Sequence, residues 1–457
     1  MSCFPAVALG GCAWRGVRPG AACFLALCLA LPSAAQAPPF PDLGPDERDF
    51  GGRINVTQGS GARAFGMGGA FLARADDATA ASWNPAGLSY LREAEFSLVG
   101  VSNTVNNRVP SLSGQVDRFV GYGPDFLSVA APVQLGKASG AVQLSFQRVF
   151  SFAGRRDVTR PDPGAIPVIF GTRATGGFDV LALGTGFQVA RPLRLGITLN
   201  RWVNGYHQVR DRPGLRPLRE ELDFSLRGWN TNIGLLWSPW DNFNMGLAAR
   251  AGFTGKVRLR RERQDSSAIP PSPENTTTNE HEASNVRLDI PGSIGIGMSW
   301  RVRSPLTVSL DYTRTAWSDG RIFNYFRVQR ALPNADEPPD LLEYPLLPYP
   351  TLDDTQKDTD QVRVGVEYVL LAGRVRLPIR AGYFTDRQYF RSGSATGEAP
   401  RFNGFTAGTG VGAGSVLFDV AYLYETGTFI ERGGSASTST DFRRLFLSII
   451  YRRGGAR

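Results

Sequence analysis

The sequence predicts an all-β protein: a transmembrane antiparallel β-barrel of about 14 strands whose lumen holds an N-terminal plug. Apolar and polar residues alternate in many short segments, and short turns alternate with long loops. Beyond the N-terminus no apolar run approaches the roughly 20 residues of a membrane-spanning helix. Because backbone polar groups must be paired inside lipid, a membrane chain of this kind has to close its strands into a barrel.

The first 37 residues have the pattern of a secretory signal peptide. Arg15 and Arg18 precede an apolar run from Ala21 to Leu31, and Ala35-Gln36-Ala37 offers small residues for cleavage. The alternative, a membrane anchor, is disfavoured because the apolar run is too short. All four cysteines precede the expected cut, so the mature chain contains neither disulfide nor cysteine metal site: Cys3, Cys12, Cys23 and Cys28.

Residues 94–457 form the predicted barrel domain. One face of the segment around Trp300 carries Leu288, Ile290, Ile294, Ile296, Met298 and Trp300, and the other face carries small or polar residues. Such alternation suits a wall between lipid and lumen. The predicted strands lie near 94–103, 124–135, 138–150, 178–190, 193–204, 223–238, 242–253, 286–301, 305–316, 359–371, 375–384, 401–411, 415–425 and 441–452.

The connections between these strands indicate the location. Short turns such as Gly136-Lys137 and Arg191-Pro192 alternate with long loops such as those over 254–285 and 317–358. This asymmetry is typical of bacterial outer-membrane barrels, with both termini in the periplasm. Trp237, Trp240, Trp300 and Tyr451 fall at strand ends, where membrane-interface aromatics are expected. A large secreted β-protein is the alternative.

Residues 38–93 form the predicted plug, or hatch. The stretch from Gly61 to Leu88 is too rich in Gly and Ala for an ordinary core. Gly66, Gly68 and Gly69 allow close backbone approach, and Asp76 or Asp77 is placed to cap a short helix that Asn84-Pro85 ends. The Gly-rich run lacks the Lys-Ser/Thr ending of a phosphate loop, so nucleotide binding is not expected.

The same stretch closely resembles the hatch of the FadL/TodX outer-membrane transport family, especially its PorV-like branch. The matching blocks are GARAFGMGGAF at 61–71, ADDA at 75–78 and NPAGL at 84–88. The resemblance implies passive uptake of hydrophobic compounds such as long-chain fatty acids, with binding at outer loops and release gated by the plug. It assigns hatch and gating roles to Gly66, Gly68, Gly69, Asp76, Asp77, Asn84, Pro85, Ala86 and Gly87. The PorV-like alternative is a docking or shuttle component for secreted proteins.

One predicted outer loop, over 317–358, is unusually apolar. Leu341, Leu342, Tyr344, Leu346 and Leu347 are its candidate substrate-uptake residues. The alternative, that these side chains only pack the loop onto the barrel rim, stays equally open.

Charge adds expectations about partners. A basic run at the start of another outer loop, Lys256, Arg258, Arg260, Arg261 and Arg263, suits contact with lipopolysaccharide or is a solvated loop. Asp311, Arg363, Glu367, Arg380, Asp419 and Glu425 are expected to face the lumen. His207 and His281 have no recognisable nucleophile context, so no enzyme activity is expected. Neither cofactor, metal nor nucleic acid is expected.

Overall fold

A computed structural model describes residues 59–108, 116–152, 154–160, 168–212, 218–266, 276–319, 322–323, 326–329, 341–344, 358–388, 398–430 and 437–453. The predicted signal peptide, residues 1–37, and the first part of the predicted hatch lie outside the described residues.

The chain forms a closed antiparallel barrel of 14 strands, as predicted. The strands are β1 Ala94–Arg108, β2 Val116–Leu135, β3 Ala138–Ser151 with Gly154–Arg160, β4 Val168–Ala190, β5 Leu193–Val203 with Gly205–Arg212, β6 Leu218–Trp240, β7 Phe243–Arg250 with Phe253–Ser266, β8 Thr276–Ile290 with Ser293–Arg303, β9 Leu306–Thr315, β10 Thr359–Ala372, β11 Val375–Arg387, β12 Arg401–Ala413, β13 Val416–Ile430 and β14 Ser437–Arg453. The barrel closes where β1 pairs with β14, from Ala94 opposite Arg453 to Arg108 opposite Ser439.

The described residues also include short elements outside the wall. These are the helices α1 Ala62–Gly66 and α2 Ala80–Trp83, the 3-10 turns Pro85–Tyr90 and Trp317–Asp319, a short strand Ile322–Phe323 paired with β8, and a hairpin of Phe326–Gln329 with Leu341–Tyr344. Within this described part, no helix is both long and apolar enough to cross a membrane.

The short turns lie where the sequence predicts them, but the strands run further toward the other end. Gly136, Gly373 and Gly414 have positive φ in three of the turns, a conformation that glycine adopts without strain. The basic run from Lys256 to Arg263, predicted to begin a loop, lies in β7 instead. These strand extensions carry polar residues on both faces, so the alternation of apolar and polar residues does not reveal them. Their backbones still pair with those of the neighbouring strands.

The face prediction around Trp300 is wrong at one point. Ile294, Ile296, Met298 and Trp300 are exposed on the outer surface, but Ile290 packs against a buried aromatic cluster inside the barrel. β8 is interrupted at Pro291-Gly292, beside the interruption of β7 at Ala251-Gly252. Pro291 and Gly292 leave the regular pleat of the strand, so the alternation cannot be carried across the break.

The outer surface of the wall carries an apolar belt. Leu181, Leu183, Ile197, Leu199 and Ile233 are among its exposed side chains. Trp237, Trp240, Trp300 and Tyr451, predicted interface aromatics, are all exposed near the short-turn end. An apolar belt with aromatic edges is what a lipid-facing wall requires.

Candidate functional site

Residues 59–93, which we call the hatch, lie in the barrel lumen. Their buried side chains form one apolar cluster with wall residues: Ala62, Ala64, Phe65, Met67, Phe71, Ala75, Ala80, Ala81, Trp83, Leu88 and Leu91 pack with Val99, Phe126, Ala130, Ala141, Phe384, Ala421, Leu423 and Phe446. Phe65 stacks on Phe446 of β14 with ring centroids 4.2 Å apart. The alanines keep the segment thin enough to fit among the large rings.

The glycine turn after α1 is held by the wall. Gly68 and Gly69 have φ of 66° and 75°, the left-handed region that glycine tolerates. Thr406 of β12 accepts from the Gly68 amide at 2.9 Å and donates to the Gly66 carbonyl at 3.1 Å. The Arg363 guanidinium donates to the Gly68 carbonyl at 3.1 Å. The turn therefore has its backbone hydrogen bonds satisfied by the barrel.

Three glycines on adjacent wall strands face the Asn-Pro turn of the hatch. Gly186, Gly196 and Gly234 are direct neighbours across β4, β5 and β6. A Cβ added at Gly196 would lie 2.2 Å from the Pro85 carbonyl carbon, and one at Gly234 would lie 2.0 Å from Asn84 Oδ1. These glycines let the Asn-Pro turn rest directly on the wall backbone.

Asn84 ends α2 and anchors the turn. Its backbone is extended, as the following proline requires. Its Oδ1 accepts from the Ala86 amide at 3.1 Å, and its Nδ2 donates to the carbonyls of Leu72 and Leu235 at 2.9 and 3.1 Å. One amide side chain therefore joins two parts of the hatch to β6. Gly87 is equally constrained, because an added Cβ would lie 1.8 Å from the Ala75 carbonyl oxygen.

The two predicted capping aspartates have different roles. Asp77 Oδ1 accepts from the Thr79 amide and hydroxyl at 2.9 and 2.6 Å, so it orders the turn before α2. Asp76 instead pairs with Arg63 at 2.5 Å. Burial by itself would raise the pKa of the Asp76 carboxyl, but Arg63 and Arg74 outweigh burial and hold that pKa below its ordinary value of 3.8.

Buried charges on the wall bind the hatch. The Glu367 carboxylate of β10 accepts from Arg74 at 2.6 Å, from Arg380 at 2.8 Å and from Arg63 at 3.4 Å. Asp311 Oδ2 of β9 accepts from the backbone amides of Phe71 and Leu72 at 2.7 and 2.8 Å. The lumen-facing prediction for Asp311, Arg363, Glu367, Arg380, Asp419 and Glu425 agrees with their burial. Removing one partner of such a buried pair leaves an uncompensated charge, which is strongly destabilising.

A small cavity of about 70 Å³ lies between the hatch and the wall of β3 to β9. It is lined by Ala81 and Ser82 of the hatch, by the apolar side chains of Phe150, Val180, Trp202 and Trp317, and by the polar side chains of Asn200, Asn230, Asn232 and Arg250. Arg250 donates to the Ser82 carbonyl. Among the described residues no carboxylate lies within ion-pair distance of it. The cavity thus combines aromatic surface with a cation that lacks a counter-charge.

The hydrogen-bonded ladder between β2 and β3 is interrupted beside this cavity. The strands pair from Leu135–Ala138 to Phe126–Gln147, and again only at Val120–Arg155 and Phe119–Arg156. Between these stretches the described residues of the two strands show no pairing. Arg148, within the gap, turns to Asp179 of β4 at 2.8 Å. The Arg148 side chain lies in this gap, close to Gly123 of β2, so side-chain contact replaces backbone pairing at this point of the wall.

Several solved structures have a similar fold. The chain is similar to a Pseudomonas aeruginosa FadL homologue, with a TM-score of 0.59, 14% identity, and coverage of 87% of this chain and 99% of that chain. The fold is that of the FadL/TodX channels. The Pseudomonas putida toluene transporter TodX gives a TM-score of 0.57 at 16% identity, covering 87% and 99% of the two chains. The CymD monoaromatic hydrocarbon channel gives 0.55 at 15% identity, covering 87% and 98%.

Comparisons of sequence, unlike those of structure, find no relative of the chain. No protein-family model matches the chain, and no curated protein matches it. At these identities the likeness carries the fold alone. The PorV-like alternative gains no support from these structures.

The predicted site residues divide into two groups. The hatch residues Gly66, Gly68, Gly69, Asp76, Asp77, Asn84, Pro85, Ala86 and Gly87 are brought together against the wall, and a gating role for them stays a prediction. Of the uptake residues, Leu341, Leu342 and Tyr344 lie in the described hairpin, whose side chains are not described, and Leu346 and Leu347 lie outside the described residues. The sequence missed Arg250 and the wall glycines, because only pairing across strands places them beside the hatch.

Proposed function

We propose that the chain is an outer-membrane channel for passive uptake of hydrophobic compounds, and that its lumen favours amphiphiles with a carboxylate, such as long-chain fatty acids. The observation that carries the proposal is the cavity above Ala81 and Ser82, where aromatic side chains meet the unpaired cation of Arg250. A partly desolvated guanidinium without a carboxylate partner favours an anionic ligand group, and the apolar side chains favour a hydrocarbon tail.

The size of the cavity supports a gated channel. About 70 Å³ is far below the roughly 300–1,000 Å³ of a small-molecule site. Binding a long chain therefore requires the hatch or the lining aromatics to move. The structure corresponds in this proposal to the closed state, with Gly66 to Gly69 and Asn84 to Gly87 as the parts that hold the hatch against the wall.

The exit in this proposal is the interrupted ladder between β2 and β3. Apolar ligand in the cavity contacts Val149 and Phe150 of β3, next to the gap. Leu181, two residues from Asp179 and nearer the short turns, belongs to the exposed apolar belt below the gap. Transfer from water to bilayer is favourable for an apolar chain, so a series of binding sites along the route is enough for uptake without an energy source.

Location follows from the same proposal. A channel of this kind resides in the bacterial outer membrane after export, with cleavage expected after Ala37. The similar structures include a toluene transporter and a monoaromatic hydrocarbon channel, which supports the expectation that the chain is not an enzyme.

Ligand binding to Arg250→Gln tests the proposal. Purified protein is titrated with palmitate and with the neutral alcohol dodecanol, and quenching of tryptophan fluorescence reports binding near Trp202 and Trp317. Because a hydrogen bond to a charged group contributes about 1.5–3 kcal/mol, we expect palmitate to bind roughly 10- to 150-fold more weakly and dodecanol to bind nearly unchanged.

Arg301→Gln, an exposed arginine near the short-turn end, is the matched control. Equal losses for palmitate and dodecanol in Arg250→Gln would reject the head-group role of Arg250. Absence of binding of both compounds to the unaltered protein would reject the uptake channel itself.

A further inference from the structure

A second cavity lies on the outside of the wall, at the end of the barrel away from the short turns. It has a volume of about 900 Å³ and spans β3 to β7. Side chains alternate across the wall, and Phe224 and Leu226 of β6 belong to the buried inner cluster. Asp223 and Ser225 therefore face outward. In the same way Tyr206 and Val257 face inward, so His207, Arg258 and Arg260 face outward.

The shape of this cavity, which we call the outer groove, comes from two backbone irregularities. Gly176 of β4 has φ of 88°, and Asn204, between the two parts of β5, has φ of 66°. Positive φ turns the chain out of the regular pleat. The strands meet closely there, since a Cβ added at Gly205 would lie 1.7 Å from the Phe224 carbonyl oxygen. These irregularities coincide with the outer groove, which Gly176, Asn204 and Gly205 all line.

The acidic side chains in the outer groove already have hydrogen-bonding partners. Arg148 binds Asp179 at 2.8 Å, and His207 Nδ1 lies 2.7 Å from Asp223. Arg258 and Arg260 line the same surface, with Arg260 directly opposite Asp223 in the β6–β7 pairing.

The cross-strand pair of residues next to the outer groove, on β6 and β7, is also basic. Arg227 and Lys256 are direct cross-strand partners on the outer face, and among the described residues neither has a carboxylate within ion-pair distance. Like charges directly opposite each other destabilise a sheet. An anion lying against this row would remove that repulsion.

The position of the outer groove along the barrel axis indicates which kind of anion it binds. Trp229, two residues from Arg227, is 55% exposed, and the Arg201 guanidinium lies 5.0 Å from the centre of its ring. Below Trp229 the outer surface becomes apolar at Ile233 and Leu199. The groove therefore lies at the level where lipid head groups meet the hydrocarbon layer.

We propose that the outer groove binds the phosphorylated head group of an outer-leaflet lipid, with Arg258, Arg260, Lys256 and Arg227 as its cationic contacts. The inference rests on the outer-membrane location in the proposed function but is independent of the ligand in the lumen. Guanidinium groups match phosphate oxygens in geometry and charge, and the acyl chains below would lie along the apolar belt.

Native mass spectrometry of the purified barrel in detergent tests this site. The probe is diphosphorylated lipid A, and its dephosphorylated analogue shows the part of binding due to the chains. We expect Arg258→Gln/Arg260→Gln to weaken binding of the phosphorylated lipid at least tenfold and to leave the analogue unaffected. Arg301→Gln/Arg303→Gln, at the opposite end of the barrel, is the matched control and should bind like the unaltered protein.

Three results would overturn the lipid site. These are unchanged binding in Arg258→Gln/Arg260→Gln, an equal loss in the control pair, or displacement of the lipid by inorganic phosphate, which would make the groove a free-phosphate site. Palmitate binding, measured on the same samples, separates the two proposals. Loss of lipid A binding with palmitate binding intact concerns only the outer groove.

Discussion

Gly196→Ala is the sharpest test of how the hatch is held. The added methyl group would lie 2.2 Å from the Pro85 carbonyl carbon, 2.3 Å from the Ala86 amide nitrogen and 2.4 Å from the Pro85 carbonyl oxygen. All three are backbone atoms, so no side-chain rotation relieves the contact. Reaching an ordinary contact of 3.4 Å requires the wall and the Asn-Pro turn to separate by 3.4 − 2.2 = 1.2 Å.

Such overpacking costs about 1–3 kcal/mol. If the amides of 84–91 exchange through release of the hatch, their hydrogen exchange should be faster by roughly 5- to 150-fold. Exchange measured by mass spectrometry on the detergent-solubilised barrel gives this rate directly. Amides of β1 and β14, which close the barrel, should change little.

The matched control is Gly100→Ala. Gly100 also lies in the wall, but the nearest atom to an added Cβ is the Gly123 carbonyl oxygen at 3.9 Å. Both variants therefore lose a strand glycine, and only one presses on the hatch. Equal exchange rates for the hatch in the two variants would refute the view that wall glycines seat the Asn-Pro turn.

Two further predictions concern pH and the outer loop. The Asp76 pKa lies below 3.8 in the folded chain, so its ion pair stabilises the hatch above that pH and is lost as pH falls through the lower folded value. The stability advantage of the unaltered protein over Asp76→Asn, measured by thermal unfolding, should therefore vanish in strong acid. Asp241→Asn, at an exposed turn, is the control variant in the same measurement. Replacing Leu341 to Tyr349 by a Gly-Ser linker of equal length should slow uptake of a fluorescent fatty acid if this loop forms the uptake groove, and an unchanged rate with intact palmitate binding would assign these residues to packing on the rim.

The sequence by itself determined the barrel, because the wall obeys a local rule. Each strand must place apolar side chains toward lipid and small or polar ones toward the lumen, and each short turn must suit a tight reversal. Leu306 to Tyr312 and Gly136-Lys137 carry that information within a few residues. The hatch was recognisable for a similar reason, since its Gly, Ala and Asn-Pro pattern serves a thin, folded segment.

The tertiary structure alone decided which residues meet. Gly186, Gly196 and Gly234 are separated along the chain, and only strand register brings them under Pro85. Arg250 and Ser82 come together in the same way. Breaks such as Pro291-Gly292 change the face of a strand without changing its composition. A period-two pattern fixes faces within one uninterrupted strand, whereas the lumen and the outer groove depend on pairing among several strands, which is a non-local property.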